Sequence, residues 1–277
     1  MKAAVLLLPA SAPALAITLP EPAPAERAAL VAKSTAASSK SKPAVKRVAI
    51  GFGRAVPPSE GVQRLSGLQW TTLDDGERVA QIRVTSSGAS ALRVQLALAH
   101  APAGLSLRFA SASSGQVYGP YSGSIASQRP YWSPILEGDT ATVEIALPPG
   151  IAAGDATVTL PMISHLVVAP AAFKQADPLH AIGTAGACEV DVACMSATIQ
   201  QQAANAIGAV VRVALTDAGT TILCSATLVN DSIASGTPYL YFASHCIDSG
   251  DADPGASRGG PAAAAASINT YWFFQAM

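Results

Sequence analysis

The chain has 277 residues, half of them hydrophobic but only 5% aromatic and 13% charged, with a formal net charge of −1. This composition excludes wholesale disorder and gives no polycationic face for nucleic acid. No run reaches the ~18 apolar residues that a membrane helix needs, and the length is a prior for about two domains with cores of small side chains.

In chain order, Lys2 is followed by apolar Ala3 to Leu8, and Ala14-Leu15-Ala16 fits the small-x-small cleavage pattern. Residues 1–16 are therefore expected to be a secretory signal, and the chain to be secreted or extracellular, passing through the periplasm. Residues 17–46 are rich in Pro, Ala, Ser and Lys without a period, which reads as a solvated linker. From Arg47 the pattern becomes period two. Leu92, Val94, Leu96 and Leu98 alternate with Arg93, Gln95, Ala97 and Ala99, and Leu105, Leu107 and Phe109 alternate with Ser106 and Arg108. Val143, Ile145 and Leu147 do the same with Thr142, Glu144 and Ala146. Such runs put one face inward and one to water. Asp74-Asp75-Gly76 and Pro148-Pro149-Gly150 are turn signals between runs. The expectation is an antiparallel β-sandwich over 47–168.

Residues 169–187 read as a second linker, with Lys174 its one basic residue. All four cysteines, Cys188, Cys194, Cys224 and Cys246, lie in the segment 188–277, and in an exported chain an even number points to disulfides. Met195 to Ala206 is a short helix candidate. Val210 to Leu215 and Thr221 to Val229 are strands joined by a turn at Asp217-Ala218-Gly219, and Tyr239 to Ala243 and Asn269 to Phe274 are further strand candidates. Ser249 to Ser267 has no regular alternation.

The chemistry concentrates in Phe242-Ala243-Ser244-His245-Cys246, preceded by Cys224-Ser225-Ala226-Thr227-Leu228-Val229. A Cys before a strand and a His-Cys pair at the end of the next resembles the first barrel of chymotrypsin-like (S1) serine endopeptidases. Cys188-Glu189-Val190-Asp191-Val192-Ala193-Cys194 and Ile268-Asn269-Thr270-Tyr271-Trp272-Phe273-Phe274 are similar to the bacterial lysyl endopeptidase group within them, and Tyr131-Trp132-Ser133-Pro134 to its pro-regions. The resemblance implies an all-β chain: a sandwich pro-domain, then over 188–277 an incomplete first β-barrel of a chymotrypsin-like fold. It also implies a Cys224–Cys246 disulfide, His245 as the catalytic general base, cleavage after a basic residue with Lys174 as a self-processing site, a protein or peptide substrate, and pro-domain contacts with the peptidase domain. It calls for no cofactor and no metal.

Elementary chemistry agrees with the role of His245. A serine hydroxyl is a poor nucleophile near pH 7 and needs a base whose pKa lies close to that pH. A zinc reading of the cysteines is weaker, because Cys188 and Cys194 are spaced more widely than in structural zinc sites. His100, His165 and His180 have no nameable partner. Asp248-Ser249-Gly250 lacks the flanking glycines of the family's nucleophile loop. Gly255-Ala256-Ser257-Arg258-Gly259 lacks the strand and helix that a nucleophile elbow requires. No segment supplies the catalytic Asp or Ser, so the chain reads as a truncated precursor that is inactive by itself. The alternative is a non-enzymatic exported binding module working through Tyr118, Tyr121, Tyr131 and Trp132.

Overall fold

Alternating apolar residues need two sheets to face one another, and the fold supplies them. The computed structural model describes residues 5–9, 11–35, 48–169, 192–247 and 260–272. It divides into one unit of Met1–Arg27 with Gly51–Ala169 and a second of Ala28–Ile50 with Pro170–Met277. Along the chain run β1 (Leu15–Leu19), α1 (Pro24–Thr35), β2 (Val48–Ala55), α2 (Pro58–Gly61), β3 (Val62–Arg64), β4 (Thr71–Thr72), β5 (Arg78–Ser86), β6 (Ala91–Ala99), β7 (Ser106–Ser111), β8 (Val117–Ser122), β9 (Tyr131–Trp132), β10 (Leu136–Glu137), β11 (Thr140–Leu147), β12 (Thr157–Thr159) and β13 (Met162–Leu166).

In the first unit one sheet has the order β1-β5-β11-β7-β8, with β4 also on β5, and a facing set has the order β2-β13-β6-β12-β3, with β9 and β10 on β6. All these pairs are antiparallel except β1, which runs parallel to β5 from Leu15↔Ile82 to Leu19↔Ser86. Ile82, Val84, Leu107, Phe109, Val143 and Ile145 from the first sheet meet Leu92, Val94, Leu96, Leu98, Val158 and Ile163 from the second in one apolar core. The β4–β5 hairpin turns where expected. Gly76 takes φ +84, and Leu73 N donates to Glu77 O at 2.8 Å.

The structure adds detail that the sequence pattern does not carry. The stretch 17–46 read as a linker carries β1 and α1 among its described residues. Ile17 and Leu19 are buried there, but a strand of five residues is too short to show its period against Pro- and Ala-rich surroundings. Within the segment read as a signal, Leu8 and Ala12 pack on Val79 and Ala146. The polar face of the alternation is also not uniformly wet, since Arg93 and Glu144 both have 0% exposure. Arg93 lies between two core positions of β6 and so points to the outer face, where the segment Tyr131–Pro134, the short strand β9 and the two residues after it, covers it. Its Nε donates to Ser133 O at 2.8 Å. Ser133 also exchanges bonds with Val94, its N donating to Val94 O and its Oγ accepting from Val94 N, both at 2.9 Å.

His165 also has a partner that its sequence position did not reveal. It is fully buried on β13, with Nδ1 2.8 Å from Ser86 Oγ and its ring 5.1 Å from that of Phe52. Burial, with the guanidinium groups of Arg54 and then Arg27, pushes its pKa down to about 4, against a small opposing effect of Glu26.

In the second unit, α3 (Ala197–Gln202) and α4 (Ala204–Ala209) precede β14 (Val210–Asp217), β15 (Thr220–Val229), β16 (Tyr239–Phe242), α5 (Gly260–Ala266) and β17 (Asn269–Trp272). The antiparallel sheet order is β17-β14-β15-β16, half of a barrel. Ala218 and Gly219, at φ +46 and +82, make the tight primed turn between β14 and β15. Helix α5 was not foreseen, because an alanine run has no amphipathic period. It is latched by Ser267, whose Oγ accepts from Thr216 N at 2.7 Å and donates to Ala264 O at 2.7 Å.

Two outcomes are expected. Because the folded state holds His165 neutral and the unfolded chain protonates it near pH 6.5, its contribution is full above that pH and is lost as pH falls towards 4. That loss is about 3 kcal/mol, measured by urea unfolding at pH 7 and pH 4. His165→Gln should flatten this part of the slope. Ser133→Ala leaves the buried Val94 N–H unmet and should cost about 1–3 kcal/mol in the same assay at pH 7.

Candidate active site

His245 is positioned by three layers of local structure. The β15–β16 ladder, in register from Ala226↔Phe242 to Val229↔Tyr239, fixes where β16 ends. Beneath it Val211, Val213 and Ala226 form a small core with Cys224, Leu240, Phe242 and Ile268 against it. The chain then closes a single helical turn over Ser244–Cys246, with Cys246 N donating to Ala243 O and Ile247 N to Ser244 O, both at 3.0 Å. Finally Cys246, which is buried, is bonded to Cys224 on β15, with Cα atoms 6.3 Å apart.

The imidazole is thus half-buried at a strand end, with a covalent anchor on the next residue. A His245 ring nitrogen and both sulfurs lie within 4.8 Å of one another. That grouping has the residue types of a metal site, but the two sulfurs are joined to each other and offer no thiolate, the form in which cysteine binds zinc. The flanking Ala243 and Ser244 are exposed, so the ring stands beside open surface. The ring is thus anchored through the next residue and open on the side of Ala243 and Ser244.

The structure brings together the three site residues singled out in the sequence, His245, Cys224 and Cys246. Cys194 is exposed. Cys188, Lys174, His180, Asp248, Ser249 and Ser257 lie outside the described residues. The aromatics that carry the binding-module alternative are mostly committed to packing. Trp132 is buried, and Tyr121 and Tyr131 lean on Phe109 with ring centroids 6.0 Å away in each case. Burial pushes the Tyr131 hydroxyl up to about 12, with a smaller push from Tyr121.

Comparison with known families agrees with this geometry in both units. The model for the lysyl endopeptidase N-terminal domain matches residues 18–167. The one for the lysyl endopeptidase C-terminal domain matches residues 182–277. The chain belongs to the lysyl endopeptidase family. The curated lysyl endopeptidase of Pseudomonas aeruginosa is 30% identical over 234 residues, covering 82% of this chain and 46% of that protein. The chain therefore spans about half the length of the curated relative. Within this peptidase family the sandwich corresponds to the N-terminal model, and the half-barrel bearing His245 to the C-terminal one.

One measurement checks the anchoring of His245. Replacing both Cys224 and Cys246 by Ala should lower the stability of the full chain by about 2–4 kcal/mol. Amide exchange should accelerate most at Cys246 and Ile247, with the sandwich strands unchanged.

Proposed function

We propose that this chain is the N-terminal part of an exported serine endopeptidase precursor of the S1 type, which cuts peptide bonds after a basic residue. His245 is its general base. The observation that carries the reading is the placement of His245 at the end of β16, pinned through the Cys224–Cys246 bond. In that role the imidazole takes the proton of a serine hydroxyl as it attacks the scissile carbonyl, then returns it to the leaving amine. The sandwich acts as a pro-domain that assists folding or holds the enzyme inactive until it is removed. Lys174 is the basic residue in the connecting segment at which the enzyme would release itself.

Triad members act as a unit, so a base without its nucleophile gives no triad catalysis. The 277-residue chain should hydrolyse lysyl and arginyl esters no faster than buffer, with or without His245→Ala. Supplying the remaining sequence of the Pseudomonas relative, as a fusion, should give turnover that His245→Ala lowers by about 10⁴-fold or more, and a mature N-terminus at Gln175. Ester turnover by the chain alone that His245→Ala abolishes would place a nucleophile within these residues, with Ser249 and Ser257 the first to test. Turnover of the fusion that survives His245→Ala would remove the role given to His245.

A further inference from the structure

The outer face of the first sheet carries a polar row that the peptidase reading does not use. Gln81 on β5, Glu144 on β11 and Arg108 on β7 stand side by side in the ladder. Glu144 has 0% exposure, although a carboxylate is rarely buried without strong partners. Its two oxygens accept from two successive backbone amides, Leu7 N at 2.9 Å and Leu8 N at 3.1 Å. Gln81 Nε2 donates to Glu144 Oε2 at 3.0 Å and to Leu8 O at 3.2 Å. Two residues further along β5 and on the same face, Arg83 donates to Ala12 O at 2.5 Å. The side chains of Leu8 and Ala12 rest on Val79 and Ala146. Arg108 Nη1 is 3.9 Å from Glu144 Oε1, too far for a hydrogen bond, and has no hydrogen-bond partner among the described residues. The backbone amides and Gln81, rather than the arginine, satisfy the carboxylate.

We propose that residues 5–9 and 11–14 are a strap seated in a backbone-reading groove on the outer face of this sheet, with Glu144 as its receptor. The groove recognises a bent peptide, turned so that two consecutive N–H groups converge on one carboxylate, with carbonyls facing Gln81 and Arg83 and small or aliphatic side chains over Val79 and Ala146. It asks for no charged side chain. The occupant is this chain's own segment, because β1 follows it directly and is registered on β5. That tether gives a high effective concentration at the groove. The strap has a consequence for processing. A cut after Ala16 falls inside β1 and deletes every group that Glu144 holds from that segment. Cleavage there loosens the N-terminal unit, and the state of the N-terminus sets that unit's stability. This inference does not depend on the role of His245.

The test is amide exchange on the full 277-residue chain. The Leu7 and Leu8 amides should exchange at least about 100-fold more slowly than in a free peptide of residues 1–14. Glu144→Ala should bring them to within about tenfold of the peptide rate while amides of β6 and β13 keep their protection. Leu8→Pro deletes one of the two donors and leaves Glu144 in place. It covers the case in which Glu144→Ala does not fold, and should speed exchange at Leu7 at least about tenfold. Leu7 and Leu8 amides that exchange at the peptide rate in the unaltered chain overturn the strap. So does protection at Leu7 that Leu8→Pro leaves unchanged.

Discussion

A carboxylate with no exposed surface must be surrounded by donors, and much of the N-terminal unit is arranged to meet that demand. Glu144 sits at the middle of β11, which is itself the middle strand of its sheet. Its neighbours Val143 and Ile145 supply the core on the other face. One strand therefore fixes both faces. Moving its register by one residue would put the carboxylate in the apolar core and two branched aliphatics outside. Arg93 on β6, which also has no exposed surface, is met by a main-chain group of a covering segment, the carbonyl of Ser133. Both outer faces are thus closed by chain without long regular structure, held through its backbone.

The second unit relies on a covalent constraint instead. Its apolar cluster is small, built on Val211, Val213 and Ala226, and a few aliphatic side chains hold a strand end only loosely. The Cys224–Cys246 bond ties the residue beside His245 to the long β15 strand, so the imidazole inherits the rigidity of the ladder rather than that of the turn. Tyr239, Tyr241 and Trp272 remain exposed on β16 and β17, strands that each pair on one side among the described residues.

Much of this was legible in the sequence because period two is a direct consequence of the pleat. Leu92 to Leu98, Leu105 to Phe109 and Val143 to Leu147 declare both strand and inward face. Cys224 lies on β15 and the His245-Cys246 pair in the turn that follows the neighbouring strand β16. What stayed hidden has physical reasons. Alternation says which way Arg93 and Glu144 point but not what lies over them, since the covering segments are distant in sequence. His165 meets Ser86 only because β13 and β5 belong to different layers. Helix α5 comes from an alanine run whose propensity is high but which has no apolar stripe to give it away.

The strand order carries a kinetic consequence. Among the described strands of the N-terminal unit, β11 is the last that its sheet receives, yet it lies between β5 and β7. In the facing set β13 is likewise the last and lies between β2 and β6. Until these two segments leave the ribosome, β5 and β7 have no common partner, and neither do β2 and β6. The β4–β5 and β7–β8 hairpins therefore cannot be joined into one sheet before β11 is available. The sheets must close around late central strands, through contacts of long sequence separation whose loop entropy is met before any ladder repays it. Folding of this unit is expected to be slow and all-or-none, beginning only after its final strand has been synthesised.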